Sequence, residues 1–130
     1  MADAIRVAGS LNRSGVRVTV DLLGEFIQDI KEADINKKAY LDLISQFEKS
    51  QVTGNYSLKP TMFGLLIDPE RCYANIREIV NLAASHGNFT RIDMEDSRCV
   101  DLEIKLFSKL RKEFPASVGL VVQAYLKRTP

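Results

Sequence analysis

Short β-type segments and longer helical segments alternate along this chain, and no other feature of the sequence limits its fold as strongly. Four runs that are rich in β-branched or aromatic residues and bounded by turn formers are predicted as strands: residues 16–21, 55–60, 89–93 and 118–125. The last run is almost continuously apolar, which is typical of a strand buried on both faces. Alternating strands and helices favour a parallel sheet with right-handed crossovers.

Apolar residues recur at helical spacing between these runs. An opening helix is predicted over residues 2–11, and the second helix is expected to start with Asn36 as its N-cap. Ile35 and Tyr40 then have the positions of a hydrophobic pair that packs across the start of that helix. The apolar stripe of the second helix comprises Ile35, Tyr40, Leu43, Ile44 and Phe47.

Two further helices are bounded by residues with known positional preferences. Asp68 and Pro69 are typical of a cap and a first helical residue, and Gly87 is typical of the residue after a helix. Pro115 ends the fourth helix because proline cannot continue one. The stripes of these helices comprise Cys72, Ile76, Ile79, Val80 and Ala83, and Ile104, Phe107, Leu110 and Phe114.

Length and charge limit the class of protein. A chain of 130 residues, 45% of them hydrophobic, is expected to form one α/β domain over residues 1–130. With 18 basic and 17 acidic side chains it has no overall field that would attract nucleic acid or an anionic membrane. No apolar run approaches the ~18–20 residues of a transmembrane helix, and the first residues do not resemble a secretory signal. A cytoplasmic location is therefore expected.

Few residues favour a metal or a thiol site. Cys72 and Cys99 are 27 positions apart and are interpreted as reduced, structural thiols. His86 is the single histidine, and its place in the last turn of a helix suits the helix dipole better than catalysis. The acidic residues Asp93 and Glu95 have no histidine near them, so no metal site is predicted.

A polar residue directly follows apolar ones at the end of each predicted strand. These residues are Asp21, Lys59, Asp93 and Gln123, separated by 38, 34 and 30 positions, about one strand-helix unit each. Ligands bind where parallel strands end, so we expect a shared site at the carboxyl edge of the sheet. Taken singly, the aspartates are equally typical of helix caps and Lys59 of a surface lysine.

Four motifs in this order and spacing resemble the proline dehydrogenase family. They are VTVDLLGE at residues 18–25, SLKPTMFGL at 57–65, GNFTRIDMEDS at 87–97 and VGLVVQAYLKR at 118–128. The resemblance covers essentially the whole chain and implies a flavoenzyme on a (βα)8 barrel. RIDMEDS and QAYLKR together form the most specific part of the match.

The resemblance also implies an activity and roles for four residues. Proline dehydrogenases use FAD to oxidise L-proline to 1-pyrroline-5-carboxylate, on the way to glutamate, and pass the electrons to a quinone-type acceptor. Lys59 would pair with the proline carboxylate, and Asp93 would be the active-site carboxylate. Met94 and Gln123 would contact the flavin.

Length separates this chain from a full barrel, which takes ~200–250 residues. The resemblance implies that strands two to five are present, so a partial barrel and an incomplete enzyme are expected. Missing by that pattern are the next strand, with an arginine and a lysine, and the last strand and helix, with the paired arginines that bind proline. Pro60 also departs from the family pattern and is expected to end its strand early.

Two other kinds of function remain open from the residues. The chain is compatible with a non-catalytic assembly module that pairs through open strand edges. It is also compatible with a Schiff-base lyase in which Lys59 is the nucleophile. A bound flavin would distinguish the proline dehydrogenase interpretation from both alternatives. Borohydride trapping of a carbonyl substrate would identify the lyase.

Overall fold

Four parallel strands form one sheet in the computed structural model, which describes residues 1–127 and residue 129. They lie side by side in chain order, and each is paired in parallel with the next. The strands are β1 (Val18–Val20), β2 (Gly54–Leu58), β3 (Thr90–Ile92) and β4 (Val118–Leu120). The parallel sheet predicted from the sequence is confirmed. Arg128, the last residue of the VGLVVQAYLKR motif, lies outside the described residues.

A helix precedes each strand, as the alternation predicts. The helices are α1 (Ala2–Arg13), α2 (Ile30–Lys49), α3 (Pro69–Ser85) and α4 (Val100–Glu113). A short 3-10 helix, Pro60–Phe63, follows β2. The architecture is that of a partial (βα)8 barrel. No helix in the described part of the chain is long and apolar enough to cross a membrane.

The hydrophobic core lies between the helices and one face of the sheet. Tyr56 and Leu58 of β2 and Ile92 of β3 are fully buried there, together with the apolar stripe of α3 and that of α2 except for Ile35. Side chains alternate between the two faces of a strand, so Ser57 and Arg91 lie on the other face, which is the interior side of a barrel. That interior face carries the polar residues.

The start of α2 differs from the sequence prediction. Asp29 is the N-cap, and it forms a capping box with Glu32 that satisfies backbone donors at both positions. Ile35 is 68% exposed rather than packed across the helix start. Asn36 lies inside the helix, where its side-chain amide donates to the carbonyl oxygen of Met62 at 2.8 Å. The polar residues of the first turn, not the apolar stripe, therefore determine where the helix begins.

The other helix boundaries agree with the sequence. Asp68 caps α3 by accepting a hydrogen bond from the Arg71 backbone, and Pro69 is the first residue of that helix. His86 is the C-cap residue, and Gly87 follows with a φ of +71°. Both Cys72 and Cys99 are buried free thiols.

The end of strand β4 and one member of the apolar stripe of α4, Ile104, were predicted incorrectly. The strand ends at Leu120 because the adjacent β3 offers no paired residue beyond Ile92. Val122, predicted inside a doubly buried strand, is 53% exposed. In α4, Leu110 is buried and Phe107 and Phe114 pack against the core as predicted, whereas Ile104 is exposed. The other buried residues of this helix are Val100, Glu103 and Leu106.

Candidate active site at the carboxyl edge of the sheet

Three charged residues meet directly after the first three strands. Asp21 follows β1, Lys59 follows β2 and Asp93 follows β3. The Lys59 ammonium lies 2.8 Å from Asp21 Oδ2 and 3.3 Å from Asp93 Oδ2. The expectation that these side chains share one edge of the sheet is confirmed, and Lys59 occupies the centre of the cluster.

Partial burial strengthens this charge cluster. The Lys59 side chain is 19% exposed, which reduces solvent screening without removing it. The pKa of Lys59 is raised, chiefly by its hydrogen bond to Asp21, although burial opposes the shift. Lys59 is therefore an ammonium at neutral pH, suited to binding an anion. A Schiff-base nucleophile needs a neutral amine, which this arrangement disfavours.

Pro60 affects the backbone but leaves Lys59 in place. The strand ends at Leu58, one residue before Lys59, and Pro60 begins the 3-10 helix. Lys59 keeps an extended backbone, with φ −95° and ψ 110°. Its side chain therefore continues the alternation of β2 and lies on the same face as Ser57.

Ser57 and Tyr40 support the two carboxylates. The Ser57 hydroxyl donates to Asp93 Oδ1 at 2.6 Å. The Tyr40 hydroxyl donates to the Ser57 carbonyl oxygen at 2.7 Å and lies 3.2 Å from Asp21 Oδ1. The sequence indicates Tyr40 only as a core residue, because it belongs to the apolar stripe of α2. Its polar contacts have no sequence signal.

Thr61 and Glu95 connect the loops around this cluster. The Glu95 carboxylate accepts hydrogen bonds from the Thr61 backbone at 2.8 Å and from its hydroxyl at 2.5 Å. The Thr61 hydroxyl in turn accepts from the Phe26 backbone at 3.0 Å. Loops after three strands are thus joined by two side chains. The sequence indicated Glu95 only as one member of an acidic group.

Glu103 is a buried carboxylate on α4. Its Oε1 accepts from the Glu95 backbone at 3.0 Å, whereas its Oε2 has no hydrogen-bond partner among the described residues. The residue is 0% exposed, and this burial raises its pKa to about 7. Glu103 can therefore exchange a proton near neutral pH.

A cleft of about 580 Å³ opens beside the charge cluster. Gln123 lies three residues beyond β4, not at its end, and its side-chain amide donates to the Met94 carbonyl oxygen at 3.2 Å. The residues that line the cleft are Glu25, Phe26, Lys59, Asp93, Met94, Glu95, Asp96, Val121, Gln123 and Tyr125. All four site residues predicted from the sequence therefore face one cleft.

Three of the acidic residues that line the cleft, Asp93, Glu95 and Asp96, are engaged with neighbouring side chains. Asp93 contacts Ser57 and Lys59, and Glu95 contacts Thr61. Asp96 pairs with Arg98. Within residues 1–127 and 129, no group of three or more His, Cys, Asp or Glu side chains is arranged to hold a metal ion.

The family model and the similar sequences agree on one family. The family model described as proline dehydrogenase matches residues 4–130. Proline dehydrogenase 2 of Bacillus subtilis (strain 168) is 35% identical over 119 residues, covering 92% of this chain and 39% of that protein. Proline dehydrogenase of Deinococcus radiodurans is 32% identical over 130 residues, covering 97% and 42%. The chain thus spans about two-fifths of the length of these relatives.

Solved structures share the fold. Proline utilization A (PutA) from Bdellovibrio bacteriovorus, in a crystal structure inactivated by N-propargylglycine, superposes with a TM-score of 0.86 at 23% identity. The match covers 97% of this chain and 16% of that one. PutA from Bradyrhizobium japonicum gives a TM-score of 0.76 at 18% identity, over 87% of this chain and 13% of that one.

Proposed function

Because the chain belongs to the proline dehydrogenase family, we propose that it carries part of a site that oxidises L-proline to 1-pyrroline-5-carboxylate with FAD. The observation that supports this most directly is the position of Lys59. Its ammonium lies between two carboxylates at the mouth of a cleft that Met94 and Gln123 also line. The reaction belongs to the breakdown of proline to glutamate, and we propose a quinone-type acceptor for the electrons.

Lys59 and Asp93 have complementary charges for a zwitterionic substrate. A proline carboxylate can accept hydrogen bonds from the Lys59 ammonium, because an ammonium has three donors and only two are directed at protein carboxylates. The positively charged ring nitrogen then faces Asp93. Since Ser57 occupies Asp93 Oδ1, the oxygen left for the substrate is Oδ2, which Lys59 shares.

The cleft residues fit one side of a flavin ring. Met94 and Val121 offer apolar surface, and the Gln123 amide has both a donor and an acceptor for a polar ring edge. When bound, FAD would supply the hydride acceptor for this chemistry. The hydride would leave the ring carbon next to nitrogen that does not bear the carboxylate, and the nitrogen would lose a proton. The role of this chain is to bind and orient the substrate, which is a large part of any rate enhancement.

An assembly role is compatible with the same structure. Strands β1 and β4 each have one edge without a paired strand in the described part of the chain. Such edges favour pairing with another chain. We therefore propose that the 130-residue chain forms oligomers through its open edges. The cytoplasmic location expected from the sequence stays a prediction.

Binding of L-proline to the chain tests the substrate assignment. We expect saturation-transfer NMR to detect binding to the wild type, loss of binding in Lys59→Met, and unchanged binding in Lys112→Met, which removes an exposed lysine of α4. Both variants replace one lysine by methionine and so change the overall charge equally. The control therefore separates the loss of Lys59 from the loss of one positive charge. Equal binding by all three proteins would contradict the role of Lys59.

Turnover tests the completeness of the site. With added FAD, we expect dye reduction by proline far below the ~1–10³ per second of ordinary enzymes, since the chain spans about two-fifths of its relatives. Asp93→Ala is the control. Ordinary turnover that disappears in Asp93→Ala would show that the chain has a complete site, alone or as an oligomer.

A further inference from the structure

We propose that Tyr40 is a positioning residue for Lys59 and acts through Asp21. In this arrangement the buried hydroxyl of α2 orients the Asp21 carboxylate, and that carboxylate holds the lysine ammonium at the cleft. The importance of the contact for substrate binding rests on the proposed function. The contact itself, from Tyr40 to Asp21 to Lys59, does not.

Tyr40 is placed to control the chain just after β1. Its ring is fully buried and packs against Phe63, with the ring centroids 5.7 Å apart. Its hydroxyl oxygen accepts a hydrogen bond from the Leu22 backbone at 3.1 Å. The single hydroxyl hydrogen faces two acceptors, the Ser57 carbonyl oxygen at 2.7 Å and Asp21 Oδ1 at 3.2 Å. One side chain therefore contacts both the Asp21 carboxylate and the backbone beside it.

Asp21 uses its two oxygens for different partners. Oδ1 faces the Tyr40 hydroxyl, and Oδ2 accepts from the Lys59 ammonium at 2.8 Å. Asp21 is not among the residues that line the cleft, whereas Lys59 and Asp93 are. Asp21 thus contacts Lys59 from outside the cleft lining, which suits a residue that positions the lysine without touching a ligand.

The lysine needs such an anchor. A lysine side chain has a long flexible stem and loses considerable rotamer entropy when it is held in one geometry. The contact with Asp21 is shorter than the 3.3 Å contact with Asp93, and it is the main cause of the raised pKa of Lys59. Asp21 is therefore the principal anchor, and Asp93 remains available on the cleft side.

A second buried tyrosine provides a matched control. Tyr56 of β2 is also fully buried, but its hydroxyl has no hydrogen-bond partner among the described residues. Tyr40→Phe and Tyr56→Phe each remove one buried hydroxyl and retain the ring. Only Tyr40→Phe removes contacts with the strand ends.

The experiment measures the order of the Lys59 side chain. The chain is labelled with [13Cε]lysine, the Lys59 signal is assigned with Lys59→Arg, and its relaxation is compared among variants. We expect the order of the Lys59 Cε group to fall to that of exposed lysines in Asp21→Asn and part of the way in Tyr40→Phe. Tyr56→Phe should resemble the wild type. L-proline binding should weaken about three- to tenfold in Tyr40→Phe, as expected for one hydrogen bond.

The two proposals fail in different ways. Unchanged order of Lys59 in Tyr40→Phe, even with lower stability, would show that Tyr40 is merely structural and overturn the positioning role. Absence of L-proline binding to the wild type, with reduced Lys59 order in the variants, would overturn the proposed function and support the positioning role. Should Tyr40→Phe fail to fold, unchanged Lys59 order in Asp21→Asn would overturn the proposal.

Discussion

The Ser57 hydroxyl donates to Asp93 Oδ1 at 2.6 Å, so β2 and the residue directly after it supply a partner for each oxygen of that carboxylate. The second partner is Lys59, which faces Asp93 Oδ2. One residue of β2 and the residue directly after that strand, both on the same face, thus orient the residue that follows the neighbouring β3. The Asp93 carboxylate is held by these two side chains of the β2 segment.

Ser57→Ala tests this contact. Removing a hydrogen bond to a charged group is expected to reduce the free energy of unfolding by about 1–3 kcal/mol. Urea unfolding followed by circular dichroism measures the change. Ser108→Ala is the control, because Ser108 is exposed on α4 and bonds only to the Ile104 carbonyl oxygen in its own helix. Equal small effects at both positions would show that the Ser57 contact contributes nothing.

Thr61→Val tests the connection between the loops. Valine has nearly the shape of threonine but cannot donate to Glu95 or accept from the Phe26 backbone. We expect a loss of about 1–3 kcal/mol in the free energy of unfolding, since buried partners are left unsatisfied. Thr53→Val, at an exposed position before β2, should change it by less than about 0.5 kcal/mol. A larger loss in Thr53→Val than in Thr61→Val contradicts the prediction.

Glu103 should make stability depend on pH in a defined direction. Its folded-state pKa is about 7, above the ordinary value of 4.5, so the folded chain retains a proton that the unfolded chain releases. Protonated Glu103 therefore makes its full contribution to the free energy of unfolding below about pH 4.5. This contribution is lost as the pH rises toward 7. Through this group the wild type should lose about 2–3 kcal/mol of free energy of unfolding between pH 4.5 and 8. Glu103→Gln should not show that loss.

Urea unfolding across that pH range measures the effect. Asp42→Asn, at an exposed position of α2, is the control for removing a surface carboxylate. The difference between wild type and Glu103→Gln should change with pH more strongly than the difference between wild type and Asp42→Asn. Parallel curves for wild type and Glu103→Gln would mean that the pKa of Glu103 is the same in the folded and unfolded chain and would contradict the prediction.

Light scattering tests the proposed self-association. We expect particles heavier than the 14.6 kDa of one chain, because β1 and β4 have unpaired edges in the described residues and Val122 and Tyr125 are exposed beside β4. Dilution should shift the distribution toward smaller particles. A monomer that melts cooperatively at all concentrations is incompatible with this prediction.

Much of the charge cluster could be predicted from the sequence. Asp21, Lys59 and Asp93 each follow a short apolar run, and parallel strands bring such positions to one edge. The positions of these three residues in the sequence were therefore enough to predict that they lie at the same edge of the sheet. Gln123 was predicted to share this edge and lines the same cleft as Lys59 and Asp93, although β4 ends at Leu120, five residues before the predicted end at residue 125.

The remaining features of the site and fold depend on tertiary contacts that cannot be predicted from the spacing of apolar residues in the sequence. Tyr40 has the spacing of a core residue, and only the tertiary structure brings its hydroxyl to Asp21. Glu103 breaks the apolar stripe of α4, because its buried carboxylate accepts a backbone hydrogen bond from the loop after β3. The start of α2 was predicted too late because Asn36 is a good cap in isolation, while the capping box begins at Asp29.

The chain-order arrangement of the sheet affects how the molecule folds during its synthesis. Each strand pairs only with its immediate neighbours along the chain, so every strand added by the ribosome finds its partner already in place. Protein chains generally fold from the N-terminal side as they emerge, and local pairings form faster than distant ones. The Asp21–Lys59–Asp93 cluster can therefore form on the nascent chain as soon as Asp93 has emerged from the ribosome, before α4 and β4 have emerged.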